Sequence, residues 1–261
     1  MKYAKKSLGQ NFLVDQNIIK KIINLNEIYN KNIVEIGPGE GALTEEILKR
    51  KPKSLLVVEK DHNLVKKLKD KYSNNKLIKI CNADILKFDI EKILNKNSDI
   101  IGNLPYNISS QILVKFLKFN KWPPKFNNLI LMFQKELGEK IIGNYPSSGY
   151  GRLSILSNYR LNILGKFFVS PNCFFPKPKV TSMVIHFQPK SKILFNIKNI
   201  YNLEKITNIF FSNRRKMINK SIKKVLNNDK IKKLPDLQIN LRPSDIKPEF
   251  YYKITELYEK K

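Results

Sequence analysis

"NIVEIGPGEGAL", residues Asn32–Leu43, is the stretch that decides the fold. "NIVEI" is a short, largely apolar run of the kind that forms a strand buried on both faces. "GPGEG" follows at once, so Gly37, Gly39 and Gly41 supply a tight turn in which no Cβ obstructs an approaching ligand. A helix pattern then runs through Lys49. Strand, glycine turn and helix together make the first unit of an open α/β sheet, but the same turn also opens dinucleotide oxidoreductases. The remainder of the chain must choose between them.

Outward from that stretch the alternation continues. Upstream, Asp15 precedes Ile18, Ile19, Ile22 and Ile23, which are spaced for one face of a capped helix. Downstream, "SLLVVE" reads as a strand, residues Asp61 to Lys71 as a charged helix, and "KLIKIC" and "SDIIG" as two more strands. A helix from Ser109 to Lys118 and the strand "NLILMF" (Asn128 to Phe133) complete the series. Strands without polar alternation, separated by helices, predict a mostly parallel sheet with helices on both faces. Ligands of such sheets bind beyond the carboxyl ends of the strands.

The pattern changes after "FFPKPKVTSMVIHFQPKSK". Beyond Pro189 there are 18 basic against 7 acidic residues, and the periodicity becomes helical. In "KITNIFFSNRRKMINKSIKKVL", Ile206, Phe210, Met217, Ile218, Ile222 and Val225 are expected to face a core, with Lys216, Lys220 and Lys224 on the opposite face. Residues 1–189 are therefore expected to form one α/β domain and residues 190–261 a small helical RNA-binding domain, hinged at Pro189 to Lys192.

Composition narrows the function. The 261 residues are 42% hydrophobic, enough for a substantial core, and carry a formal charge of +27. So large a cationic excess opposes compaction and points to an anionic partner, nucleic acid before membrane, since no long amphipathic helix stands out. No apolar run approaches the ~20 residues that cross a bilayer. The leader "MKYAKKSLGQNFLVDQ" has no apolar core segment, which predicts a cytoplasmic protein. Cys81 and Cys173 lie far apart and read as reduced thiols. His62 and His186 lack clustered partners, so no metal site is expected.

Three strand ends carry candidate ligands for a cofactor. After the glycine turn come Glu59, closing the second strand, and Asp84, in "CNADIL" after the third. A carboxylate at the position of Glu59 accepts ribose hydroxyls, and Asp84 is placed to accept from an adenine amine. This set fits hydride and methyl transfer equally. The fourth strand end, "GNLPYNISS", separates them. Gly102 and Pro105 suffice for a turn, which leaves Asn103 and Tyr106 in surplus. If the substrate is an adenine whose N6 attacks a methyl group, the Asn103 oxygen and the Leu104 carbonyl are suitable neutral acceptors for the amine. Pro105 then stiffens the turn and Tyr106 stacks on the base.

With these residues in view, the chain closely resembles the ribosomal RNA adenine dimethyltransferases of the KsgA type. The resemblance runs from about Lys6 to the C-terminal region. It rests on "SLGQNFLVD", "VEIGPGEGALT", "VVEKD", "NADIL", "GNLPYNIS", "QKE", "YGRLS", "FFPKPKV", "NRRKMI" and "LRPSDIKPEF". It implies a Rossmann-like class I S-adenosylmethionine-dependent methyltransferase domain with a small C-terminal helical domain. Implied cofactor contacts are Asn11, Leu13, Gly37, Gly39, Glu59, Asp84 and Asn103. Implied catalytic positions are Asn103, Leu104, Pro105 and Tyr106, with Phe174, the first aromatic of "FFPKPKV", holding the target adenine against Tyr106. Phe175 is expected to pack in the core. Lys177, Lys179, Arg214, Arg215 and Lys216 are expected to meet RNA phosphates.

The implied reaction is dimethylation of N6 of two adjacent adenosines in a hairpin loop near the 3′ end of 16S small-subunit RNA. It implies work on the immature 30S subunit late in assembly; a monomer is the default expectation. The related 23S RNA methyltransferases of the macrolide-resistance type share the cofactor motifs, and a non-catalytic assembly factor could keep the fold. A nicotinamide oxidoreductase would leave "NLPY" and the charge unexplained.

Overall fold

The computed structural model describes residues 10–260. Residues 1–9, which include the start of the "SLGQNFLVD" motif, lie outside them, as does Lys261. The chain forms two compact units, residues 1–138 with 162–189, and residues 139–161 with 190–261.

In the first unit, β1 (Phe12–Leu13) is followed by α1 (Gln16–Ile23), whose Asp15 cap accepts from the Ile18 N–H at 3.0 Å. Then come β2 (Asn32–Ile36), α2 (Ala42–Lys49), β3 (Ser54–Glu59), α3 (His62–Lys71) and β4 (Ile78–Asn82). A single-turn α4 (Ile90–Ile93) leads to β5 (Ser98–Asn103), α5 (Ser109–Leu117) and β6 (Phe126–Gln134). The expected strands and helices of this stretch all form, with ends moved by a residue or two. The chain crosses to the second unit within α6 (Lys135–Ile142), which leads to α7 (Arg152–Arg160). It returns through β7 (Leu161–Val169), β8 (Phe174–Phe175) and β9 (Ser182–Pro189).

The sheet has seven strands in the order β4-β3-β2-β5-β6-β9-β7. β4, β3, β2, β5 and β6 are parallel, and β9 joins β6 antiparallel, with Gln134 opposite Ser182. β1 and β8 form a separate two-stranded ribbon that pairs Phe12 with Phe175 and Leu13 with Phe174. The core contains Ile19, Ile33, Val57, Ile101 and Val184, with Leu13 and Phe174 from the ribbon.

The second unit is built from α7, α8 (Ile200–Phe211), α9 (Asn219–Lys223), α10 (Asn228–Ile231) and α11 (Pro248–Glu259). Residues 139–161 belong to it rather than to the α/β domain in which the sequence reading placed them. The cause is a set of buried tyrosine bonds: Tyr150 donates to the Ile246 carbonyl at 2.8 Å, Tyr252 to Ile155 at 3.0 Å and Tyr159 to Phe195 at 2.9 Å. An ion pair between Arg152 and Glu204 at 3.2 Å adds to them.

A second difference concerns "FFSNRRKMINKS". The expected continuous helix is broken between α8 and α9, because Ser212 caps the first and the Ile218 N–H turns away to the Leu241 carbonyl at 2.9 Å. Lys216 therefore lies on a turn instead of sharing a helix face with Lys220, and Met217 is 55% exposed instead of in the core. No helix among the described residues is long and apolar enough to cross a membrane.

Candidate active site

The carboxyl ends of β2, β3, β4 and β5 lie along one edge of the sheet and border a cavity of about 400 Å³. Gly37 and Gly39 enter it after β2, Glu59 from β3, Asp84 after β4, and Asn103 with Leu104, Pro105 and Tyr106 from β5. Asn11 and Leu13 close it from the ribbon side. All the expected cofactor positions and four of the five expected catalytic positions thus border one cavity.

The glycine turn needs its glycines. Gly37 and Gly39 have φ of +64° and +59°, which side-chain-bearing residues adopt only with strain. A Cβ on Gly39 would fall 2.7 Å from the Phe12 ring, so glycine lets the ribbon lie over the turn. Phe12 lines the cavity too, a role the sequence reading missed although it stands between Asn11 and Leu13.

Glu59 is buried, and both its oxygens meet backbone donors. Oε1 accepts from the N–H of Lys60 and of Asp61, each at 2.8 Å, and Oε2 accepts from Gly39 at 3.4 Å. Burial raises its pKa and these three bonds oppose the rise. A carboxylate has about four acceptor positions, so capacity remains for a hydroxyl in the cavity. Asp84 Oδ2 lies 2.9 Å from the Lys60 ammonium, and Oδ1 accepts from the Leu86 N–H at 3.0 Å. The bond to Lys60 holds the Asp84 carboxyl below its usual range. Lys60 also lines the cavity, and its position directly after Glu59 was the available signal.

At the end of β5 the Asn103 amide is oriented by a distant residue. Nδ2 donates to the Asn11 backbone carbonyl at 3.1 Å. A side-chain amide has one donor end and one acceptor end, so this bond leaves Oδ1 as the acceptor for another partner. The Tyr106 hydroxyl is 2.5 Å from Ser182 Oγ, which pins the half-buried ring beside the amide. Burial raises the Tyr106 pKa and keeps the phenol neutral.

Phe174 departs from expectation. It is 4% exposed, belongs to the apolar core and is not part of the cavity wall. Side chains alternate along the two-residue β8, so Phe174 turns inward opposite Leu13 while Phe175 is 46% exposed opposite Phe12. The expected roles of the two rings in burial are thus reversed. Lys177 and Lys179 are exposed on the segment after β8; Arg214, Arg215 and Lys216 are exposed on the α8–α9 turn of the second unit.

A parallel sheet extended by an antiparallel strand, with ligand-facing groups on successive strand ends, is the Rossmann-like frame of the class I methyltransferases, whose methyl donor is S-adenosylmethionine. Solved structures share it: a dimethyladenosine transferase from Plasmodium falciparum superposes with a TM-score of 0.77 at 25% identity, covering 93% of this chain and 95% of that one. A 23S rRNA methyltransferase, ErmE, shares the fold with a TM-score of 0.71 at 23% identity, over 96% of this chain and all of that one.

Sequence comparison is more specific than fold. The chain matches the ribosomal RNA adenine dimethylase family over residues 1–260 and belongs to that family. Ribosomal RNA small subunit methyltransferase A of Pelagibacter ubique is 46% identical over 98% of this chain and 97% of its own length. The protein of the same name from Malacoplasma penetrans is 40% identical over 97% of this chain and 91% of its own length. The protein is an enzyme that dimethylates adenine in ribosomal RNA with S-adenosylmethionine, and the hydride-transfer alternative falls away.

Proposed function

We propose that the substrate is small-subunit ribosomal RNA, and that two adjacent adenosines of a hairpin loop near its 3′ end are dimethylated at N6 late in subunit assembly. The observation that carries the mechanism is the Asn103 amide, tied by its nitrogen to Asn11 and so offering its oxygen beside Tyr106. The likeness to small subunit methyltransferases at 40–46% identity supports the choice of RNA.

When bound, S-adenosylmethionine supplies an electrophilic methyl group on a sulfonium sulfur. Glu59 would accept from the ribose and Asp84, held by Lys60, from the adenine amine of that donor. The target adenosine must leave its stack before N6 is reachable. Tyr106 then stacks on the base, while Asn103 Oδ1 and the Leu104 carbonyl accept the two N–H bonds of the amine. These bonds draw the nitrogen toward tetrahedral geometry and localise its lone pair for attack. Attack would form the N–C bond as the carbon–sulfur bond breaks, its electron pair staying on the now neutral sulfur. The amine would lose its proton to solvent as or after the N–C bond forms, so positioning carries the rate. Asn11, Leu13, Gly37 and Gly39 shape the donor side of the cavity. Lys177, Lys179, Arg214, Arg215 and Lys216 supply charge for phosphates, and the enzyme works as a cytoplasmic monomer.

Incubation with labelled S-adenosylmethionine and unmethylated ribosomal subunits tests the choice of RNA. Label is expected in small-subunit RNA. Label in large-subunit RNA would replace this reading with the macrolide-resistance type, and no label in either would leave a non-catalytic assembly factor.

A further inference from the structure

β7 is the last strand of the sheet, and its alternation leaves Asn162, Leu164, Lys166 and Phe168 exposed on one face. Leu164 is 52% and Phe168 55% exposed. An exposed apolar edge strand is a liability that proteins ordinarily blunt, so its retention here calls for a partner. The Lys135 ammonium lies 5.3 Å from the centre of the Phe168 ring. The Lys135 backbone N–H donates to the Thr181 carbonyl at 2.9 Å, and the next residue, Ser182, holds the Tyr106 hydroxyl at 2.5 Å. Three successive contacts within the first unit therefore connect the ring at the cavity with the ring at the sheet edge. Lys135 belongs to "QKE", a motif that the cavity does not use.

We propose that this sheet edge is a second RNA site, which stacks an unpaired base on Phe168 and takes adjoining phosphates on Lys135 and Lys166. It rests on the reading of the cavity as an RNA adenine site and adds a place for a nucleotide near the flipped one. Single-stranded nucleic acid is held by just this pairing of aromatic faces, which accept any base, with cations that follow the backbone. Lys166 stands about 7 Å along the strand from Phe168, on the same face. Val180, 42% exposed beside Thr181, and the exposed Lys177 and Lys179 extend the mixed apolar and cationic character toward β8. The cations favour a polyanion over an apolar protein surface.

Fluorescence anisotropy of the full-length protein with labelled hexa-adenylate tests the site, with S-adenosylmethionine affinity measured by calorimetry as a check on folding. Phe168→Ala is expected to weaken oligonucleotide binding roughly 5- to 100-fold, and Phe168→Trp to preserve it. Lys135→Gln is expected to reduce the slope of log affinity against log salt by about 0.7. All three are expected to bind S-adenosylmethionine normally. Unchanged oligonucleotide affinity in Phe168→Ala, or no binding by the unmodified protein, would overturn the proposal. So would a Phe168→Ala defect seen with assembled subunits but not with hexa-adenylate, which would mean that the face does not stack a single-stranded base. Methyl transfer by the unmodified protein is scored separately: its absence alongside an intact Phe168 effect would remove the proposed function and leave this site standing.

Discussion

The side-chain amide of Asn103 donates to the backbone carbonyl of Asn11 at 3.1 Å, joining two residues 92 positions apart in the sequence. One bond thus makes the segment that borders the cavity also the segment that orients the amide proposed to accept from the target amine. Asn103→Asp replaces the donor nitrogen with an oxygen that meets the Asn11 carbonyl unfavourably unless protonated. Methyl transfer is expected to fall at least about 100-fold at pH 8, the loss of an interaction made to the reacting group. Activity relative to the unmodified enzyme should partly recover as pH falls and the introduced carboxyl gains a proton. A pH–rate profile with no recovery would separate the Asn11 bond from catalysis.

Tyr106 is held by Ser182 but faces the cavity, so its ring and its hydroxyl should separate by mutation. Tyr106→Ala is expected to cut methylation while leaving the dissociation constant for S-adenosylmethionine near that of the unmodified enzyme. Tyr106→Phe, which keeps the ring and loses one hydrogen bond, should cost only about 0.5–1.5 kcal/mol of stability and retain most activity. Equal loss of cofactor binding in Tyr106→Ala would count against base stacking.

The two phenylalanines of β8 should behave oppositely in thermal unfolding. Phe174→Ala empties a core position and is expected to destabilise the fold by about 3–5 kcal/mol. Phe175→Ala, at a ring 46% exposed, should change stability by less than about 1 kcal/mol. Comparable losses in both would contradict the inward and outward assignment.

Glu35 is fully buried in β2, where desolvation pushes its pKa up to about 8 against hydrogen bonds from the Thr44 side chain, whose Oγ1 donates at 2.6 Å, and from the Thr44 backbone. Its folded-state pKa lies above the unfolded one, so the folded protein holds the proton more tightly. Stability is then complete below about pH 4.5 for this group and is lost as pH rises toward 8. Glu35→Gln, neutral at every pH, should flatten that dependence. The difference in stability between the variant and the parent is expected to grow by up to about 3 kcal/mol from pH 5 to pH 8. A difference independent of pH would place a charged carboxylate in the core.

The parallel half of the fold was legible because its strands are short, mostly apolar runs separated by helical patterns, and two of its helices begin at an aspartate, Asp15 and Asp61, that caps them. The cavity was legible for the same reason, since strand ends fix where Gly37, Glu59, Asp84 and Asn103 must meet. β7 was not, because an edge strand that exposes Leu164 and Phe168 lacks the polar alternation that would mark one face as solvated. The break after Phe211 carries no glycine or proline, and the apolar spacing of Ile206, Phe210, Ile218 and Ile222 continues across it. The bond from the Ile218 N–H to Leu241 that ends the helix is tertiary. "FF" in "CFFPKPKV" has no internal marker of which ring faces inward. One residue of register in β8 decides that, and β8 takes its register from Leu13.

The most direct measurement is nucleoside mass spectrometry of small-subunit RNA after reaction with S-adenosylmethionine, comparing the unmodified enzyme with Asn103→Ala. N6,N6-dimethyladenosine from the first and unmethylated adenosine from the second are expected. Dimethyladenosine formed at an undiminished rate by Asn103→Ala, or methyl groups found on an atom other than N6, would contradict the site described here.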